Sequence, residues 1–124
     1  MFKILKTKKV YETKFITVFE DEIEFPSGQK GIYNFIARKN GVAILASDSQ
    51  DRILLLKQYR YPIKDFSWSL PAGSIDDNEN LESAAVREFK EETGFEISSL
   101  QKINIFYPLD SCTAETSTLF FWQD

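Results

Sequence analysis

Within residues 73–95, GSIDDNENLESAAVREFKEETGF, five glutamates crowd together: Glu79, Glu82, Glu88, Glu91 and Glu92. On a helical wheel of about 100° per residue, Glu88, Glu91 and Glu92 span roughly 100° of one face. Ala85, Val86, Phe89 and Thr93 fill the adjoining, less polar face, which suits packing on a core. Like charges three and four residues apart repel by roughly a few tenths of a kcal/mol per pair. Two accounts of the cluster stand open. It is a solvated acidic face, partly neutralised by Arg87 and Lys90, or it seats a hard divalent cation such as Mg²⁺. Such an ion takes oxygen ligands and keeps several waters, so two or three carboxylates plus substrate phosphates suffice.

Composition narrows the chemistry. The sequence has no histidine, which excludes Ser–His and Cys–His nucleophilic pairs and histidine metal sites. Acid–base work then falls to carboxylates, lysines, tyrosines or metal-bound water. A net charge of −4 argues against a general nucleic-acid or membrane-surface binder. No apolar run approaches the ~20 residues of a membrane span. The single cysteine, Cys112, cannot form an internal disulfide, so a cytoplasmic location is expected. Length fits one domain over residues 1–124, with N-terminal strands in 1–38 and a core in 39–124.

These side chains need a scaffold, and the rest of the sequence reads mostly as strands. Residues 2–11 form a strand with a basic centre; 15–25 are rich in β-branched and aromatic residues. Pro26-Ser27-Gly28 is turn chemistry, so Gly31 to Arg38 pairs back as a hairpin. GVAILAS, residues 41–47, is a continuous apolar run expected to be buried on both faces. Arg52 to Tyr61 is expected to form one strand. Pro62 and Pro71 bracket an irregular segment in which Trp68 and Leu70 serve as core anchors. After the helix come strands over 100–107 and 117–122, joined by a polar loop from Pro108 to Thr116. A mixed sheet with one packed helix, an α+β or α/β arrangement, is the economical architecture.

The spacing within 73–95 is informative as a unit. Gly73, Glu79, Arg87-Glu88-Phe89, Glu91-Glu92 and Gly94-Phe95 meet every fixed position of G-x5-E-x7-R-E-U-x-E-E-x-G-U, where U is bulky and apolar. This resembles the complete box of the Nudix hydrolases. RILLLKQYRYPIKDFSWSLPAG (52–73) and SCTAET (111–116) are similar to flanks of the ADP-ribose pyrophosphatase branch. The resemblance covers nearly the whole sequence and is most specific over residues 54–95.

What the resemblance implies is Mg²⁺-dependent hydrolysis, with Mn²⁺ as a substitute, of a nucleoside diphosphate linked to another group. ADP-ribose, yielding AMP and ribose 5-phosphate, is the leading substrate. By position, Glu88 and Glu92 are implied as metal ligands, Glu91 as a ligand directly or through water, and the Ala72 carbonyl as a further oxygen. Arg87 and Glu79 are implied as a structural pair, Gly73 and Gly94 as backbone turns, with Gly94 stopping the helix. Glu115 is implied as general base or added metal ligand. Arg60 is the basic candidate for the phosphates, and Tyr33, Phe35 and Tyr61 are available to stack on a base. The resemblance also implies a homodimer formed through the N-terminal strands. A C-terminal helix is usual in that branch. The sequence ends at Asp124, just past the last strand, so that helix is expected to be absent; either the polypeptide is shortened at its C-terminus or another subunit covers the exposed sheet, and a dimer is the favoured expectation.

Ser69 stands where the branch usually carries glutamate, and Cys112 and Thr113 where it carries proline and glycine. These departures bear on substrate choice and leave the glutamates untouched. Alternative readings are another substrate (a nucleotide sugar, dinucleotide or modified nucleoside triphosphate), a non-catalytic nucleotide sensor, and an acidic interaction module.

Overall fold

In the first two strands, lysines face glutamates: Lys3 pairs with Glu24, Lys6 with Glu22 and Lys8 with Glu20. Opposite charges across an antiparallel ladder favour that register. In the computed structural model, which describes residues 1–124, these strands are β1 (Lys3–Glu12) and β2 (Thr17–Glu24). β2 continues into β3 (Lys30–Ala37) through Pro26-Ser27-Gly28, where Gly28 takes φ +86° and the Phe25 N–H donates to the Gln29 carbonyl at 2.8 Å. That φ is open to glycine at little cost, which explains the residue there. Phe19 stacks on Phe35 across the hairpin, with ring centroids 5.2 Å apart. The three strands form a sheet in the order β1-β2-β3.

Residues 1–39 and 107–115 form one unit; residues 40–106 and 116–124 form another. The loop after Phe106 therefore belongs with the N-terminal strands. Within that unit the Ile36 N–H donates to the Cys112 carbonyl at 2.8 Å, and the Tyr33 hydroxyl donates to the Ser111 carbonyl at 2.7 Å.

The second unit is built on β4 (Gly41–Ser47), followed by β5 (Leu56–Arg60), β6 (Asp65–Ser69), β7 (Ala72–Ser74), α1 (Leu81–Thr93), β8 (Gln101–Phe106) and β9 (Ser117–Gln123). Its main sheet has the order β7-β4-β9-β8, with β4 and β9 parallel and the other pairs antiparallel. This is the mixed sheet with one packed helix that the sequence pattern suggested. β4 lies inside, and Val42 and Ile44 are fully buried. Helix α1 lays Ala84, Ala85 and Phe89 on that strand's side of the core, beside Phe120 and Ile97. Two alanines let the helix backbone approach closely, and Phe89 fills the remaining volume. Asn80 caps the helix by accepting from the Ser83 N–H at 2.8 Å; Gly94, at φ +79°, ends it with its N–H on the Lys90 carbonyl.

Three sequence expectations change. The strand expected from Arg52 to Tyr61 is regular only from Leu56. The stretch between the prolines is ordered: β5 and β6 pair as an antiparallel hairpin around a 3₁₀ turn at Tyr61–Ile63. Pro62 sits early in that turn, where a missing N–H costs nothing, and Lys64 takes the left-handed conformation that closes it. Trp68 is no core anchor. It is 63% exposed, on the outer face of the hairpin, with the Lys57 ammonium 5.7 Å from its ring centre; Leu70 is half-buried.

Phe89 closes the core between helix and sheet, so Phe89→Ala leaves a cavity that small neighbours cannot fill. We expect a loss of about 3–5 kcal/mol in unfolding free energy by denaturant titration.

Candidate active site

Glu79 precedes the N-cap, so it lies outside the helix that carries Glu82, Glu88, Glu91 and Glu92. It still reaches the helix. Arg87 Nε donates to both Glu79 oxygens at 3.1 Å. The same guanidinium gives Nη1–H to Glu88 at 2.8 Å and to Glu91 at 3.2 Å, and Nη2–H to the Ser74 carbonyl at 3.0 Å. Asp76 lies 3.5 Å away. One cation thus braces the turn at 74–79 against the helical turns that carry the glutamates. The Glu79 hydrogen bond, foremost, holds the Arg87 pKa above its usual value, against the opposing effect of burial. Arg87 therefore stays charged at every working pH.

Gly73 sets the distance between strand and helix. A Cβ built on it would lie 2.0 Å from the Glu88 carboxyl carbon. Any side chain there would push that carboxylate aside, and as it stands the Glu88 carboxylate rests directly on the backbone of β7. Beside it, Glu92 accepts the Ala72 N–H at 3.4 Å and the Gln58 side-chain N–H at 3.3 Å. The pleat fixes where Ala72 points. The Pro71 carbonyl accepts from the Ile44 N–H, toward β4, and the Ala72 N–H turns the other way, to Glu92. In an extended strand a residue's N–H and C=O face the same side. The Ala72 carbonyl therefore also faces the open edge beside Glu92.

Burial pushes the Glu92 carboxyl above its ordinary 4.5; the Ala72 N–H opposes this, the Glu88 charge adds to it, and Arg60 and Gln58 oppose it. Two close carboxylates, one of them half-buried, a carbonyl facing the same edge and a glycine that admits close approach form an oxygen donor set suited to a hard divalent cation. Glu91 is on the solvent side, its side chain 58% exposed.

Arg60 belongs to this neighbourhood. Its charge is felt at Glu92, and its Nη2–H donates to Gln58 Oε1 at 2.6 Å. Gln58 lies within the 52–73 flank that carries the resemblance, but the sequence assigns it no role; the β5–β6 register brings it to Glu92. Ser69 shares that hairpin face, and its buried hydroxyl has no protein partner. Tyr33 and Glu115 lie in the N-terminal unit. There the Tyr33 hydroxyl is engaged with Ser111, and Glu115 pairs with Arg38 Nε at 3.1 Å.

Comparison with known proteins agrees on the family. Residues 37–124 match the NUDIX domain, and residues 2–36 match the nucleoside diphosphate sugar hydrolase N-terminal domain. An ADP-ribose pyrophosphatase of Bacillus subtilis is 30% identical over 122 residues, covering 98% of this chain and 66% of that protein. The ADP compounds hydrolase NudE of Escherichia coli is 27% identical over 106 residues, covering 82% of this chain and 57% of that protein. The chain thus spans between about half and two thirds of these relatives' length. A solved structure described as an ADP compounds hydrolase superposes with a TM-score of 0.84 at 25% identity, covering 99% of this chain and 67% of that one.

The Glu92 environment has a measurable cost. Its folded-state pKa lies above the unfolded 4.5, so ionising it inside the fold destabilises the protein. That penalty is absent below 4.5 and complete above the raised folded value. In EDTA, Glu92→Gln should melt above the wild type at pH 7–8, and the gap should close as pH falls toward 4.5. A gap that ignores pH in a thermal-shift series would overturn this.

Proposed function

Since the chain belongs to the Nudix family, we propose that it hydrolyses the diphosphate of a nucleoside diphosphate linked to another group, with ADP-ribose the leading substrate. Water adds to one phosphorus, the bridging P–O bond breaks, and AMP and ribose 5-phosphate leave. The observation that carries this reading is the convergence of Glu88 and Glu92 on the backbone at Ala72 and Gly73, with Arg60 alongside.

In this reading Glu88, Glu92 and the Ala72 carbonyl hold Mg²⁺, with Mn²⁺ as a substitute, and Glu91 contributes directly or through water. A divalent cation in such a seat neutralises the diphosphate and lowers the pKa of a water. Arg87 and Glu79 keep Glu88 aimed, and Gly73 leaves room for it. Gly94 ends the helix just past Glu92. Arg60 grips phosphate oxygens with donors left over from Gln58. Tyr33 offers an aromatic face to the base, and Glu115 takes the proton or adds a ligand.

A homodimer through the N-terminal strands is part of the proposal. In its support, every residue of β1 is exposed, including Ile4, Leu5 and Val10, and exposed edge strands invite pairing. A cytoplasmic location is supported by the single cysteine, and an absence of nucleic-acid or membrane partners by the net charge of −4. The second reading is a nucleotide sugar as substrate, which the match of residues 2–36 favours.

The test is hydrolysis of a nucleotide panel with Mg²⁺ or Mn²⁺, scored by chromatography, with ¹⁸O-water to locate the attacked phosphorus. ADP-ribose should give AMP and ribose 5-phosphate; activity on no nucleoside diphosphate would end the reading. Glu92→Gln should lower kcat by more than the roughly 10–100-fold typical of changes outside the ligand shell, while the fold persists. Gly73→Ala removes no charge, yet its methyl displaces the Glu88 carboxylate, so its kcat should also fall at least about tenfold.

A further inference from the structure

The β5–β6 hairpin has two unlike faces. Register places Leu56, Gln58 and Arg60 with Ser69, Ser67 and Asp65 on one side, and Lys57 and Tyr59 with Trp68 and Phe66 on the other. The first side is the more buried of the two and meets Glu92 through Gln58. The Gln58 amide there stands between an anion and a cation. Its Nε2–H donates to Glu92 Oε2 at 3.3 Å, and its Oε1 accepts from Arg60 Nη2 at 2.6 Å. Turning the amide over would set carbonyl against carboxylate and NH₂ against guanidinium, two repulsive contacts in place of two bonds. Arg60 therefore dictates which end of Gln58 faces Glu92. It uses one of its five N–H donors for this and keeps the others for a phosphate.

We propose that Gln58 is a positioning residue for Glu92, oriented by Arg60, so that one amide couples the phosphate grip to the cation-holding carboxylate. This rests on the function proposed above. Coupling of this kind is reciprocal: substrate that fixes Arg60 tightens cation binding, and the cation tightens substrate binding. It also separates two effects of opposite sign. By charge alone, removing the Arg60 guanidinium would ease the approach of a cation. Through the amide, removing Arg60 frees Gln58 to rotate, Glu92 loses its fixed donor, and cation binding weakens.

The experiment is a double-mutant cycle on Mn²⁺ affinity without nucleotide, read from water-proton relaxation, over wild type, Gln58→Leu, Arg60→Met and the double variant. Gln58→Leu should weaken Mn²⁺ about tenfold. Arg60→Met should weaken Mn²⁺ when Gln58 is present. In the Gln58→Leu background, where only the lost charge is felt, it should leave binding equal or tighter. In steady-state assays with ADP-ribose, Gln58→Leu should lower kcat with little change in KM, while Arg60→Met raises KM. Gln58→Met, which keeps the side-chain length and removes both hydrogen bonds, takes the place of the leucine variant if near-ultraviolet circular dichroism shows that one misfolded. The proposal is overturned if Gln58→Leu and Gln58→Met bind Mn²⁺ like the wild type, or if Arg60→Met shifts affinity by one factor in both backgrounds. A wild type that binds no Mn²⁺ and hydrolyses nothing defeats the functional reading and the coupling together. A wild type that does both, with a silent Gln58 substitution, defeats the coupling alone.

Discussion

The site depends on a single guanidinium. Arg87 is bonded to Glu79, Glu88, Glu91 and the Ser74 carbonyl. Without it, acidic side chains on a turn and a helix would repel one another, and two of them, Glu79 and Glu88, have side chains only 15% exposed. Charges that far from water require a partner. Glu92 stands outside this network. Burial foremost, with the Glu88 charge, raises its proton affinity, against the Ala72 N–H, Arg60 and Gln58. A carboxylate held at that cost is common where a fold serves chemistry before stability.

Small residues do the remaining positioning. Gly73 lets Glu88 rest on β7, and Ala84 and Ala85 let α1 lie close to the sheet. Both contacts draw the helix against the same side of the second unit. A methyl group added at Gly73 would strike Glu88, whereas Gly94 has open space around it and owes its identity to its positive φ alone.

Much of this was legible in the sequence because it is written in charge, glycine and period. The helix, its glycine stop, the buried strand at 41–47 and the Pro-Ser-Gly hairpin all carry local signals, and local signals survive folding. What escaped depends on register and on which face is covered. The residues between Pro62 and Pro71 look broken because proline reads as a terminator, yet a proline inside a tight turn leaves both flanking strands intact. Trp68 looks like core because of its size, but the pleat turns it outward, opposite the Gln58 face. Gln58 lies in the flank that carries the resemblance but has no charge to suggest a role; its importance comes from what two other side chains place at its ends.

The parallel pairing of β4 with β9 has a consequence for how the protein reaches its fold. Gly41 lies beside Ser117, and the junction is sealed by the Asn40 side chain accepting from the Thr116 N–H, 76 residues apart. β1 to β3 close through nearby turns, but the innermost strand of the second unit acquires its parallel neighbour only after that neighbour has left the ribosome. Contacts of such long range form slowly. Until they do, GVAILAS is an uncharged, β-prone segment with open backbone on one edge, the profile of a sequence that self-associates. The strand that anchors the finished core is thus the segment most in need of protection while the protein is being made.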